Sequence, residues 1–176
     1  MYNIHMKIEH ELTPKNEIDL TNKFILDACC GSKMMWTNRE HPNVVYQDIR
    51  EVDETLCDGR KLIVKPDVFA SYTNMPYDDE SFYMVVWDPP HLLNLGETSW
   101  MYKKYDKLDK KTWEDELKTA FSECMRVLKD KGTLIVKFST RDIPAKDFYN
   151  VVGKPLFGTT IGRNSETLWM TYMKGI

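Results

Sequence analysis

The segment of the sequence best suited to chemistry runs from Asp88 to His91 and reads Asp-Pro-Pro-His. An exocyclic amino group is a poor nucleophile because its lone pair is delocalised. Hydrogen-bond acceptors at both amino protons favour a pyramidal nitrogen whose lone pair can attack. The Asp88 carboxylate and the Pro89 carbonyl can be these acceptors, and the rigid rings of Pro89 and Pro90 set their direction. The alternative is that Asp-Pro-Pro only ends the apolar run before it.

His91 has three possible roles. Its planar ring can stack on the ring that carries the amino group, it can act as a general base, or it can be structural. The amino nitrogen becomes acidic only as it forms its new bond, so no strong base is required. Stacking is therefore the favoured interpretation.

A second set of candidate residues follows two apolar runs near the N-terminus. The first run ends in small residues around a single glycine, which let a ligand approach the backbone closely; these are Asp27, Ala28, Cys29, Cys30 and Gly31. Asp48 ends the second run, where an acid can accept hydrogen bonds from a ribose diol. Without a Gly-x-Gly-x-x-Gly motif, a nucleoside fits better than a dinucleotide. Each acid alone could equally be a cap or a solvated strand end, but their spacing favours a ligand.

Short apolar runs predict the strands that must carry these residues. They cover residues 23–28, 44–48, 67–70, 82–87, 133–138, about 156–157, and 167–173. A hairpin turning on Asp58-Gly59 is predicted before the third run. Apolar residues at three- and four-residue steps predict a helix over 113–129, and a second helix should begin near Pro144.

Strands that alternate with helical or looped connections predict a mainly parallel sheet. The last two strands are too close for a crossover helix and should pair antiparallel. The predicted fold is α/β, with a mainly parallel seven-stranded sheet, a C-terminal antiparallel hairpin and helices on both faces. Ligands of such sheets bind beyond the carboxyl ends of the strands, where Asp27, Asp48 and Asp88 all fall.

The composition is that of a globular protein. The 176 residues, 42% hydrophobic and 29% charged, predict one domain over 1–176, with 1–22 as a lead-in. Because no apolar run approaches the roughly 20 residues of a membrane span and no secretory signal is recognisable, we expect a cytoplasmic protein. The four cysteines form no C-x-x-C pair and the histidines are scattered, so no metal is expected. A net charge of −3 argues against a protein that coats duplex DNA.

Residues 92–111 follow Asp-Pro-Pro-His directly and are interpreted as a possible substrate lid. Lysines alternate there with aromatic side chains that could stack on unpaired bases; the candidates are Trp100, Tyr102, Lys103, Lys104 and Lys107. The same segment could equally be a solvated lead-in to the next helix. Arg163 lies in a turn that should open on the same side of the sheet, if the strand before it is parallel.

Together these motifs resemble the class I (Rossmann-like) S-adenosylmethionine-dependent methyltransferases, most closely the small phage- and prophage-type enzymes with an Asp-Pro-Pro-His signature. The resemblance includes residues 74–77, 123–129 and 154–158. It implies S-adenosylmethionine as cofactor, with residues 27–31 at its methionine and ribose end. It also implies Asp48 on the ribose, Ile49 on the adenine, and Asn74 and Met75 at the adenine edge. Ser71 stands where relatives often carry an acid near the adenine amino group.

The resemblance implies methylation of an exocyclic amino or amide nitrogen, with a DNA or RNA base as the favoured acceptor. Such a base would have to be unpaired or flipped out to reach Asp88. Two alternatives stay open. One is methylation of a protein glutamine or a small molecule, and the other is a non-catalytic, cofactor-binding regulatory protein.

Overall fold

The computed structural model describes residues 12–56, 58–94, 96, 102, 106–159 and 166–176. A short 3₁₀ helix, Lys15–Glu17, precedes the first strand. The strands are β1 (Ile25–Asp27), β2 (Val44–Asp48), β3 (Val52–Thr55), β4 (Lys61–Val64), β5 (Val68–Phe69), β6 (Phe82–Trp87), β7 (Leu128–Ser139), β8 (Phe157–Gly158) and β9 (Thr167–Met173). The helices are α1 (Trp113–Val127) and α2 (Ala145–Val152).

Seven of these strands form one sheet in the order β5-β2-β1-β6-β7-β9-β8. The pairs from β5 to β7 are parallel, and β9 is antiparallel to both of its neighbours. The predicted mainly parallel seven-stranded sheet with a C-terminal antiparallel hairpin is therefore confirmed. β3 and β4 form a separate antiparallel hairpin around Asp58-Gly59, also as predicted.

The apolar stripe of α1 explains how the main core forms. Its buried residues Leu117, Ala120, Cys124 and Val127 recur at steps of three and four, so they share one side of the helix. They pack with alternate residues of the central strands and with Phe148 of α2. The helix ends two residues before the predicted position because Leu128 pairs with Phe82 and enters β7.

The two described helices pack on the same face of the sheet, since their buried residues belong to one core. A small cluster of Cys30, Val44 and Tyr46 occupies the other face, with Trp36 packed against it. The expectation of helices on both faces is thus met on one face only in the described part of the chain. The β1–β2 connection lacks helical periodicity and takes left-handed backbone angles at Gly31 and Lys33 (φ 49° and 56°), so it folds as successive turns.

The sequence predicts neither a membrane-spanning helix nor a metal site. Among them, no helix is both long and apolar enough to cross a membrane. No group of three or more His, Cys, Asp or Glu side chains in the same part of the chain is arranged to hold a metal ion.

Candidate active site

Three acids meet at the carboxyl edge of the sheet. Asp27 ends β1, Asp48 ends β2, and Asp88 follows the last residue of β6. β1 lies between β2 and β6 and is parallel to both, so the three strand ends lie side by side. This edge is the ordinary ligand-binding position of an open α/β sheet.

Two cavities open at this edge. The larger, of about 190 Å³, is lined by Ala28, Cys29, Asp48, Ile49, Arg50, Ala70, Ser71, Tyr72, Pro90, Asp106, Lys107 and Glu116. The smaller, of about 100 Å³, is lined by Cys29, Cys30, Gly31, Ser32, Met34, Met35, Arg50, Asp88, Pro89 and Lys137. Because Cys29 and Arg50 line both, the cavities adjoin at the end of β1.

Most of the predicted cofactor-binding residues line one of these cavities, but three do not. Asp27 is completely buried beneath them, and Met75 contributes its side chain to the main core. Asn74 is exposed and lines neither cavity. The turn that holds Asn74 and Met75 is anchored to α1, since Glu123 accepts the Met75 N–H at 2.8 Å and Arg126 donates to the Met75 carbonyl at 3.0 Å.

Asp48 ties the end of β2 to the loop after β1. One carboxylate oxygen accepts the Gly31 N–H at 2.9 Å, and the other accepts the Arg50 N–H at 3.0 Å and its Nε–H at 3.1 Å. The residue is 3% exposed, yet it lines the larger cavity. Arg50 was not identified as a site residue from the sequence. Its position two residues after Asp48 was the signal that could have indicated it.

Asp27 is an acid whose hydrogen-bond donors, among the described residues, carry no charge. Trp36 Nε1–H donates to Oδ2 at 2.7 Å, and the Cys29 N–H donates to Oδ1 at 3.4 Å. Burial raises the pKa of Asp27 to about 7, because these donors offset only part of the cost of desolvating a carboxylate. Asp27 therefore titrates near neutral pH.

Asp88 has a different partner. Lys137 Nζ donates to Asp88 Oδ2 at 2.7 Å, and both side chains remain partly exposed. Trp87 pairs with Val136 in parallel register, which brings the next residue of each strand together. Lys137 was also missed in the sequence. The signal was its position as a lone charged residue within the apolar run of β7.

His91 lies half-buried beside the two buried prolines of the motif. Its ring centroid is 6.3 Å from that of Phe138, with the planes inclined by 76°. Burial lowers the pKa of the His91 imidazole, so the neutral ring predominates at pH 7. A neutral planar ring suits stacking better than it suits charge-based binding.

Hydrogen bonds hold the two ends of the segment that follows the motif. Asp142 Oδ2 accepts the N–H groups of Leu93 and Asn94 at 2.8 and 3.0 Å, and the Leu108 N–H donates to the Leu92 carbonyl at 2.9 Å. Within this segment, Lys107 lines the larger cavity, and its ammonium lies 5.6 Å from the centroid of the Tyr102 ring. The predicted substrate residues Trp100, Lys103, Lys104 and Arg163 lie outside the described residues.

Comparison with known proteins gives this site a context. The sequence profile of a family described as DNA methylase (N6_N4_Mtase) matches residues 82–170, from the start of β6 to the middle of β9. Among curated proteins, no sequence matches the chain.

Solved structures agree in fold. A TehB-like SAM-dependent methyltransferase from Corynebacterium glutamicum is 18% identical with a TM-score of 0.53, over 87% of this chain and 80% of that one. A protein described as an rRNA methylase from Clostridium thermocellum is 13% identical with a TM-score of 0.51, over 88% and 89%. At these identities the likeness concerns the architecture of the sheet.

Proposed function

Because this chain belongs to the N6/N4 DNA methylase family and is a methyltransferase, we propose that it methylates an exocyclic amino nitrogen of a nucleic-acid base. The observation that carries the proposal is the position of Asp88. Its carboxylate stands in the wall of the smaller cavity, beside Pro89 and next to the cavity that holds Asp48. An amino-group acceptor site thus adjoins a nucleoside site.

S-adenosylmethionine is the cofactor, and the residues of the larger cavity fit its adenosine. Asp48 is an acid that can accept hydrogen bonds from the ribose diol if Arg50 yields or shares its oxygen. Ile49, 54% exposed, offers an apolar surface for the adenine. The Ser71 hydroxyl is engaged with Thr73 within the following turn. Asp106 and Glu116 also line this cavity, and Glu116 accepts a hydrogen bond from the Tyr72 hydroxyl.

Asp27 supports the same assignment from below the cavities. It is buried at the end of β1, close enough to Asp48 and Asp88 for both to affect its pKa. A cationic ligand nearby would favour its ionised form. The sulfonium of S-adenosylmethionine carries such a charge.

When bound, the cofactor supplies a methyl group that moves to the acceptor nitrogen as the N–C bond forms and the C–S electron pair remains on sulfur. Asp88 and the Pro89 carbonyl would each accept one amino hydrogen, which frees the nitrogen lone pair for in-line attack. The proton that the alkylated nitrogen releases would pass to the Asp88 carboxylate and from there to water. His91 would stack on the base.

A transfer assay with a tritiated methyl donor tests the acceptor. Single-stranded DNA, the same sequence as duplex, and RNA are offered to the full chain, and mass spectrometry of the digested product identifies the methylated base. We expect label on an amino nitrogen, with unpaired substrates preferred over intact duplex because the base must reach Asp88. Label confined to protein or small molecules would contradict the proposal.

The salt dependence of binding tests the segment after the motif. Replacing Lys103, Lys104 and Lys107 by alanine should flatten the slope of log affinity against log salt by about one unit for each phosphate that the variant no longer binds. A matched control replaces Lys15, Lys61 and Lys131, whose side chains are 55–66% exposed outside both cavities. If both triple variants change the slope equally, the segment does not bind phosphates.

A further inference from the structure

Lys137 is a charged residue on an otherwise apolar stretch of β7. Leu134, Val136 and Phe138 point into the main core, so the two-residue period of a strand directs Lys137 to the opposite face. That face carries no helix in the described part of the chain, and the side chain there reaches the smaller cavity. Its ammonium ends 2.7 Å from Asp88 Oδ2.

The ion pair gives the two carboxylate oxygens of Asp88 different surroundings. Oδ2 accepts from Lys137, whereas no residue in the described part of the chain donates a hydrogen bond to Oδ1. A carboxylate held by one oxygen loses rotational freedom, and its second oxygen then has a fixed direction. Strand pairing also fixes the positions of the two residues, because Trp87 and Val136, which directly precede them, are partners in the sheet.

We propose that Lys137 is a positioning residue for methyl transfer: it holds Asp88 Oδ2 so that Oδ1 accepts the amino hydrogen of the acceptor. This rests on the proposed function of Asp88. The ion pair is partly exposed, and such pairs contribute little to stability. The role of the ion pair in this proposal is therefore to orient the Asp88 carboxylate.

Substitution of Lys137 separates orientation from folding. Lys137→Met should lower kcat about 10- to 100-fold, the effect expected of a misdirected reacting group. KM and cofactor affinity should stay within about threefold. A loss of thermal stability that accounts for the reduced activity would overturn the proposal.

A second pair of variants gives a result that a merely structural lysine would not produce. In Asp88→Asn only one side-chain oxygen remains, and Lys137 would hold it, which turns the amide NH₂ toward the acceptor amino group. Removing the lysine as well frees the amide to turn its oxygen to the acceptor. We therefore expect Asp88→Asn/Lys137→Met to be at least about tenfold more active than Asp88→Asn, the size of one neutral hydrogen bond. Equal or lower activity would overturn the proposal.

Lys131→Met is the matched control. Lys131 lies on the same strand and also forms an ion pair with an aspartate, Asp130, but it is exposed and far from the smaller cavity. It should leave kcat unchanged in both the wild-type and the Asp88→Asn backgrounds. An equal effect of Lys131→Met and Lys137→Met would show a general charge effect and overturn the proposal.

The two proposals fail in different ways. If the wild type methylates only a protein or a small molecule, the nucleic-acid acceptor is wrong, while the ranking of the Lys137 variants on the true acceptor still decides the role of Lys137. If nucleic acid is methylated and the ranking fails, only the role of Lys137 is wrong. A wild type that methylates none of these acceptors would contradict both.

Discussion

Asp27 and Asp88 end neighbouring strands and have opposite surroundings. Asp27 is completely buried, and its donors are an indole and a backbone amide. Asp88 is partly exposed and pairs with the Lys137 ammonium. A carboxylate is therefore a buried group with a raised pKa at one strand end and a partly exposed member of an ion pair at the other.

The difference shows that neighbours decide what an acid can do at this edge of the sheet. The Asp27 carboxylate fastens Trp36, and through it the β1–β2 connection, to the strand end. Asp88 lines the smaller cavity, and Lys137 holds one of its oxygens. We expect substitutions at the two positions to change different measurable properties.

The largest effect should come from Asp88→Ala. Removing the proposed amino-group acceptor should lower turnover by at least about 1000-fold, while cofactor affinity stays within about tenfold. Single-turnover methyl transfer and titration calorimetry measure the two quantities separately. A comparable loss of cofactor binding would assign Asp88 to the cofactor and remove the contrast.

Asp27→Asn should change stability in a pH-dependent way. The folded pKa, about 7, lies above the ordinary aspartate value of 3.8, so the unfolded chain loses this proton first as the pH rises. The contribution of Asp27 to stability therefore falls between about pH 4 and 7, and above that range the cost of the buried charge is complete. Asparagine has no such cost and can still accept the Trp36 N–H.

Urea unfolding of the cofactor-free protein at several pH values measures this effect. We expect Asp27→Asn to exceed the wild type by a few kcal/mol at pH 8 and to match it near pH 4. Asp53→Asn is the control, since the Asp53 side chain is 73% exposed on β3. A constant difference between Asp27→Asn and wild type across this range would show that Asp27 is not buried as an acid of raised pKa.

Asp48→Ala should weaken cofactor binding by about 10- to 100-fold, the value of one charged hydrogen bond. The measurement tests whether Asp48 binds the nucleoside of the cofactor. Calorimetry with S-adenosylhomocysteine avoids turnover during the measurement. Asp53→Ala again provides the control, and undiminished binding by Asp48→Ala would place the ribose elsewhere.

The smallest change should follow His91→Phe. A phenyl ring can still stack on the base, and the imidazole is already neutral at pH 7, so we expect kcat within about fivefold of wild type. His91→Ala should be clearly worse. If His91→Phe is as inactive as His91→Ala, proton transfer by His91 becomes the better explanation.

Much of this protein was predictable from local sequence. Apolar runs predicted the strands, the α1 stripe predicted its helix, and the short distance between the last two strands predicted their antiparallel pairing. The acids at the ends of those runs were predicted at one edge because parallel strands end together. The phage or prophage type and the cytoplasmic location stay predictions.

Three features depended on tertiary structure. In the described part of the chain, one face of the sheet carries no helix because the β1–β2 connection folds as turns. Met75 enters the core because Glu123 and Arg126 hold its turn from α1. Lys137 meets Asp88 because β6 and β7 pair with Trp87 opposite Val136, although Lys137 and Asp88 are 49 residues apart in the chain. Periodicity determines which face a side chain occupies, whereas the partner on that face is chosen by long-range strand pairing, which no local pattern encodes.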